Sequence, residues 1–524
     1  MSTPKKGATG KTAGKGKPAN KSGGGAPVSG HPESSVAGRM TDAALKGIYP
    51  YLLFGAVILF QHIIYDPTTT ENAPVFPIIA ALFVAGVFLY LWAKTELSCE
   101  RVTALVIMMG VLVRIAYAHN TSAYVRQHDL GTGQGFFWQL DYILHFVNNW
   151  TLPDTNEMQF YHPPLHHFIS AMWLRINNAS GAHYERGVES LQYLAVFYSS
   201  CFMVVANRIF ARLKLKKEFL LTATALIAFH PAMILLSGSI NNDTLSILFY
   251  ASAILWMMKW WETQSIKNTL FLALSVGLGM MTKMGNTTLA FVIAPFFLIK
   301  LIGEKGYLRR LVLSAKLALF GLVSVPLGMW HAVRNLIEFG QPFGYVLTQE
   351  VGGIVYRGDY PTASRIFSFP LSQLFKGPFA DLTSDYNLPT YILKCSLFGE
   401  WNHSPKLYFF ASVLIALNII LIAMSLAAMV YVLSGKWKAE KWMLFALWLV
   451  QMVSFVWFNI QYPFFCCMNF RYIVPTLICG AGFICLAGQR IADERAALWK
   501  KARIAVFSPI ILFAALSAIF SISI

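Results

Sequence analysis

The sequence predicts an all-α polytopic membrane protein, and three observations carry that prediction. Hydrophobic residues fill 56% of the 524 positions and charged residues only 13%, against roughly 25% charged in a soluble domain. Mean hydropathy is +0.52. The apolar residues form long unbroken runs, suited to helices that need roughly 20 residues to cross a bilayer, and not the short alternating segments of a β-barrel.

The elements follow in chain order. Residues 1–40 contain no Phe, Tyr, Trp, Leu or Ile. Such a segment has nothing to bury, so residues 1–46 are expected to be a disordered basic tail. No cleavable leader is read there, and the lysines place the tail on the cytoplasmic side. Thirteen apolar runs come next. Runs 48–65 and 74–93 make an N-terminal hairpin within 47–101. Runs 102–118, 188–208, 219–236, 245–261, 268–282, 286–302 and 311–330 make a core spanning 102–330. Runs 407–432, 442–459, 471–488 and 505–523 close the chain within 407–524. Two long segments, 119–187 and 331–406, are left outside the membrane. No fixed-period repeat joins the runs.

Charge placement fixes the expected topology. With thirteen crossings and a cytoplasmic N-terminus, Arg212 to Lys217, Lys305 to Arg310, Lys436 to Lys441 and Arg490 to Arg503 all fall on one side. The opposite links 66–73, 237–244 and 460–470 hold no Lys or Arg. This is the positive-inside distribution. The stretch 163–177 contains His166, His167 and Arg175 and is read as a helix lying on the outer interface, because counting it as a span inverts every later loop. The net charge of +17 is thus topology charge, not a groove for nucleic acid. The seven cysteines form no CxxC pair and read as small buried residues.

Chemistry gathers on the outer side. The first long segment opens Arg126-Gln127-His128-Asp129, continues through Asp141, His145, Asp154 and Glu157, and ends Tyr161-His162-Pro163-Pro164-Leu165-His166-His167. Phe136, Phe137, Trp138, Phe146, Trp150 and Phe160 are interleaved. That mixture reads as amphipathic helices on the membrane with polar faces toward a cavity. Asn241-Asn242-Asp243 precedes an apolar run; a helix cap alone, and a cap with a cavity role besides, are both open readings. Lys283, Arg334 and Arg471 sit at outer ends of runs. They either snorkel or bind an anion such as phosphate. His162 and His166 share a helix spacing that zinc can use, but there is no HExxH, and Pro163-Pro164 reads as a helix entry. There is no Walker A loop and no GxGxxG after a strand.

In this combination and order the chain resembles the GT-C superfamily of multi-pass glycosyltransferases. The likeness is to the bacterial members related to protein O-mannosyltransferases and to the aminoarabinose transferase of lipid A. It rests on His128-Asp129 after a span, Tyr161 to Leu165, Asn241-Asn242-Asp243, Thr282-Lys283, Arg334-Asn335 with Phe339 to Pro342, and Arg471-Tyr472 with Pro475, and it covers roughly 102–488. Relatives often carry two adjacent acids in the first motif, where this chain has His128 and Asp129.

The resemblance implies a sugar donor on a polyprenyl or dolichyl phosphate and a protein, lipid or glycan acceptor on the outer face of a plasma (inner) or endoplasmic-reticulum membrane. It implies Asp129 as general base and Asp243 as its partner, with His128 and Glu157 as further catalytic candidates. Lys283, Arg334 and Arg471 would hold the donor phosphate, and His162, Tyr161 and Asn242 would line the acceptor pocket. Metal use is left open; a divalent ion would fall to Asp129 and Asp243. The competing reading is a transporter or flippase of lipid-linked sugars, which would line the bilayer centre with charge. The runs hold few such groups, chiefly Arg114, His230 and Lys316.

Overall fold

The computed structural model describes residues 35–64, 75–131, 138–157, 159–179, 184–347 and 350–524. Most of the expected tail, and Phe136 and Phe137, lie outside these residues. The part of the tail that is described is not disordered: Val36–Ala44 is a helix, α1, capped by the Ser35 side chain.

α2 (Tyr49–Ile64) and α3 (Val75–Ala93) form the N-terminal hairpin, and α4 (Cys99–Asn120) opens the core. The first long segment carries α5 (Gln139–Asn149), α6 (Leu165–Ala179) and α7 (Tyr184–Ser190). The core continues with α8 (Gln192–Arg212), α9 (Lys217–Ala228), α10 (Pro231–Leu235), α11 (Asp243–Glu262), α12 (Ile266–Thr282), α13 (Leu289–Gly303) and α14 (Tyr307–Phe339). The second long segment holds α15 (Thr362–Phe367), α16 (Leu371–Lys376) and α17 (Leu388–Phe398). α18 (Tyr408–Leu433), α19 (Ala439–Gln461), α20 (Thr476–Glu494) and α21 (Ala496–Ser523) complete the chain. Among the described residues the only β pairing is an isolated bridge between Tyr356 and Phe464.

Every predicted run falls on a helix or a bent helix pair, and the chain is an all-helical, multi-pass membrane protein. The expected count of thirteen crossings is not reached. Among the described residues eight helices are long and apolar enough to span, or eleven if three bent pairs each count as one. α12 has only 17 residues, and α11 carries Asp243, Lys259 and Glu262. Both are shielded by protein: α12 packs between α11 and α14. The α12–α14 contact is close because its crossing points are glycines. A Cβ on Gly328 would lie 2.8 Å from the Met280 Cβ, and one on Gly277 2.9 Å from Leu327. Small residues let membrane helices approach in this way.

The helix ends sort into two sets. At one end Arg212 pairs with Glu262, Lys300 donates to the Trp261 carbonyl at 3.1 Å, and Lys316 reaches the Gln264 carbonyl at 2.6 Å. The predicted intramembrane cation Lys316 therefore snorkels to that end. The first turn of α11 and the last turns of α12 and α14 lie at the other end, where the long segments fold.

A cavity built on a shared arginine

Two acids 114 positions apart in sequence meet at one guanidinium. Arg471 Nη1 lies 3.0 Å from Asp129 and 3.5 Å from Asp243. Asp243 also pairs with Lys283. Lys283 Nζ sits over the Tyr472 ring at 4.7 Å, and the Arg471 guanidinium over the same ring at 5.1 Å. Acid and base thus alternate in the order Asp129, Arg471, Asp243, Lys283. The Asp129 side chain is 29% exposed and that of Asp243 4%, so the first acid is the accessible one.

Local backbone features deliver each group. α9 ends before His230-Pro231, and the chain bends by 51° into α10. Proline supplies no backbone donor there, and the buried Arg114 fills part of the gap by donating to the Ala228 carbonyl at 2.7 Å and to Ser199 at 2.8 Å. Arg114 is thereby a structural clasp, not part of a charged path. The loop after α10 then packs its Gly238 on Tyr117, where a Cβ would lie 2.7 Å from the ring. Gln127 ties this loop to the one bearing Asp129. Its Nε2 donates to the Gly238 carbonyl at 2.7 Å, and its Oε1 accepts from the Ile240 amide at 2.8 Å. Asp129 adopts a left-handed backbone with φ of 58°, a conformation that Asp and Asn tolerate better than other side chains. The Asp129 carbonyl accepts from the Gln139 amide at 3.0 Å, fixing the loop to α5.

Asp243 is the first residue of α11 and does not serve as its cap. Asn242 holds the cap position without a side-chain cap bond, and the Asp243 carboxylate turns to Lys283 and Arg471. The motif does both: Asn241 Oδ1 accepts from the Asp243 amide at the helix start at 3.0 Å, and Asp243 lines the cavity. A helix N-terminus also favours the negative charge.

A cavity of about 620 Å³ opens beside the network. Asp129, Asp243, Lys283, Arg471, Tyr161, His162 and Asn242 all line it. Three predicted site residues do not. Arg334 pairs with Glu338 at 2.8 Å and donates to the Pro153 carbonyl at 3.3 Å. The face of α14 turned to the cavity is that of His331 and Asn335, one helical turn apart, and Arg334 is rotated off it by about 100°. Glu157 lies in an exposed turn. His128 is buried behind Asp129, with Nδ1 2.7 Å from Glu400 and its ring against Trp401.

Glu400 is the group that sequence reasoning missed. Its second oxygen accepts from Asn469 at 3.0 Å, and Asn469 in turn accepts from the Arg471 amide at 3.0 Å. Burial alone would raise its carboxyl, but His128 and Arg471 outweigh that and hold it down at about 2. The signal available in sequence was only an isolated acid in Phe398-Gly399-Glu400-Trp401, with no spacing to mark it. Beside the same cluster, burial and the nearby Lys283 push the His162 imidazole down to about 3, so it is neutral at physiological pH.

Among the described residues no three His, Cys, Asp or Glu side chains come together as metal ligands. The positive group between Asp129 and Asp243 is Arg471, and an ion bound there would have to displace it. All seven cysteines are free.

Residues 161–330 match the sequence family described as dolichyl-phosphate-mannose-protein mannosyltransferase. The GT-C likeness read from the motifs is borne out by that match. A search of curated proteins finds no match. Among solved structures, the Archaeoglobus fulgidus oligosaccharyltransferase, with a tethered acceptor peptide, is similar at 12% identity and a TM-score of 0.44, over 79% of this chain and 55% of that one. The archaeal oligosaccharyltransferase AglB from Archaeoglobus fulgidus, with an inhibitory peptide and a dolichol-phosphate, gives 14% identity and a TM-score of 0.43, over 79% of this chain and 56% of that one. ArnT from Cupriavidus metallidurans in the apo state gives 13% identity and a TM-score of 0.34, over 73% and 78%. The chain therefore spans little more than half the length of the archaeal protein.

Proposed function

We propose that this protein is a membrane glycosyltransferase that moves a sugar from a polyprenyl- or dolichyl-phosphate donor to an acceptor on the outer, non-cytosolic face. The observation that carries this reading is the meeting of Asp129 and Asp243 on Arg471 at the wall of a large cavity. The family match over 161–330 supports the lipid-phosphate donor. The side of transfer follows from the lysine and arginine clusters at the opposite helix ends, under the positive-inside rule.

In the proposed reaction an acceptor hydroxyl or amide attacks the anomeric carbon of the donor sugar. Asp129 takes the acceptor's proton as the new bond to that carbon forms. The bond from the anomeric carbon to the phosphate oxygen breaks, and its electron pair leaves with the lipid phosphate. Lys283 and Arg471 face the cavity and stabilise that developing charge. Asp243 positions both cations. Arg334, bound to Glu338 and to the Pro153 carbonyl, holds the first long segment to α14.

The test is transfer from dolichyl-phosphate mannose by the purified full chain in nanodiscs. Asn tolerates the left-handed backbone of position 129, so Asp129→Asn retains the wild-type melting temperature. Its turnover falls by about 10²–10⁴, the usual contribution of a positioned general base. Turnover within threefold of wild type in the folded variant removes Asp129 from the role. A wild-type protein that carries the donor across sealed vesicles without yielding any glycosylated product would replace the transferase by the flippase.

A further inference from the structure

A second, smaller cavity of about 240 Å³ shares no lining residue with the large one. It sits at the seam between the N-terminal hairpin and the core. His62 comes from the last turn of α2, His119 from the last turn of α4, Arg186 and Glu189 from α7, and Tyr193 from the start of α8. The rings of His62 and His119 both lie against that of Tyr193, with centroids 5.9 and 6.2 Å away. Next to this polar lining, Phe60, Ile63 and Ile64 on the last two turns of α2 are exposed apolar side chains. The Trp173 ring is 5.2 Å from that of His62. Tryptophan and tyrosine gather at the depth where lipid headgroups meet acyl chains.

The two full charges of this cavity are opposite in sign and are not spent on each other. Arg186 and Glu189 are three residues apart on α7, a spacing that puts both on one face, yet no ion pair joins them. Among the described residues Arg186 pairs with no carboxylate, and its bond to the His62 carbonyl is long, at 3.4 Å. Glu189 turns to the loop after α4 instead. One of its oxygens accepts from the Ser122 hydroxyl at 2.8 Å and the other from the Ala123 amide at 2.8 Å. Each carboxylate oxygen has about two acceptor sites, so each keeps one. A guanidinium without an acid and a carboxylate with acceptor sites to spare match a ligand that carries both charges. Phosphate suits the guanidinium, and a primary ammonium, with three hydrogens to donate, suits the carboxylate. A purely anionic ligand would meet Glu189, and a quaternary ammonium has no hydrogen to give it.

We propose that this cavity binds the phosphoethanolamine headgroup of a membrane phospholipid, with the phosphate on Arg186, the ammonium on Glu189 and the acyl chains along the exposed face of α2. The site is separate from the transferase cavity and does not depend on the reaction assigned there. A lipid held in it touches α2 on one side and α4, α7 and α8 on the other, and so fastens the hairpin to the core.

The experiment measures, by native mass spectrometry of the full chain in detergent, the Kd for phosphatidylethanolamine, phosphatidylglycerol and phosphatidylcholine of matched acyl chains, and for free O-phosphoethanolamine. Phosphatidylethanolamine is expected to bind about tenfold tighter than either of the other lipids, the worth of one charge-assisted hydrogen bond. Free O-phosphoethanolamine binds about tenfold or more weakly than the lipid, because it buries no acyl chain. Arg186→Gln weakens phosphatidylethanolamine by about tenfold through loss of the phosphate's cation. Glu189→Gln, whose amide oxygen still accepts from the loop, brings the ratio of the phosphatidylglycerol Kd to the phosphatidylethanolamine Kd toward one. Either variant that folds suffices. Equal Kd values for the three lipids in the wild type, or binding unchanged in the folded variants, overturn the site. Free O-phosphoethanolamine bound as tightly as the lipid overturns a phospholipid as the ligand.

Discussion

Two ionic clusters built from the same residue types behave differently. In the second long segment, Lys394 donates to both oxygens of Asp385 at 2.8 and 3.1 Å, and Asp385 also accepts from the Asp381 amide at 2.9 Å. Arg357 donates to the Asp385 carbonyl at 2.9 Å. Lys394 and Asp385 expose 3% and 2% of their side chains, and neither lines the large cavity. The cluster on Arg471 is open: one acid is accessible and a cavity adjoins it. A closed pair has spent its hydrogen-bonding capacity on the fold. The open one keeps capacity for a ligand, and that difference, not the presence of charge, separates a staple from a site.

The contrast predicts opposite readouts. Lys394→Met leaves Asp385 buried without its cation and costs about 3–5 kcal/mol of stability, read as a loss of folded protein in detergent. The surviving folded fraction transfers sugar at the wild-type rate per molecule. Arg471→Ala is expected to lower transfer by about 10²–10³, the loss seen when a preorganised charge at a reacting centre is removed, and it weakens dolichyl phosphate binding. If Lys394→Met damaged transfer more than folding, the distinction between the clusters would fail.

A smaller effect sharpens the same comparison. Gln127 touches neither cluster but joins the two loops that carry Asp129 and Asp243. Gln127→Ala should lower kcat by about ten- to a hundredfold, as expected when reacting groups are misplaced by an ångström or less. The KM for the donor should change little, since Lys283 and Arg471 are left in place. A fall in melting temperature without the kcat loss would make Gln127 merely structural.

What the sequence disclosed follows the range of the physics. Apolar runs are local, so all thirteen could be placed on helices, while the number able to span could not, because burial of α11 and α12 between neighbours is a tertiary fact. Asp129, Asp243, Lys283 and Arg471 were legible as charges at run ends on one side. Arg334 obeyed the same rule and lies outside the cavity, because its place on the circumference of α14 depends on which face meets α12. Glu400 and Gln127 were invisible as site residues. Their importance comes from partners 272 and 111–113 positions away, and one sequence has no signal for such pairings.

The histidines of the first long segment supply the mildest test, and its sign is fixed by burial. Burial pushes the His166 imidazole down to about 4 and holds His167 well below its ordinary 6.5. Both are therefore neutral in the folded chain, whereas the unfolded chain protonates them below 6.5. The unfolded state then binds more protons, so the stability contributed by neutral imidazoles is full above pH 6.5 and declines as the pH falls. Between pH 7.5 and 5 His166 contributes a loss of about 2 kcal/mol. Glu400, held at about 2, keeps its contribution throughout this window and loses it only below the ordinary carboxylate value. His166 has no hydrogen-bond partner on either nitrogen, so His166→Phe should leave the melting temperature at pH 7.5 nearly unchanged and reduce the drop between pH 7.5 and 5. His167 bonds Gln139 at 2.6 Å and stacks on Tyr142 at 4.1 Å, so His167→Phe lowers stability at both pH values. Identical pH slopes for wild type and His166→Phe would show that this imidazole is hydrated and not held neutral by burial.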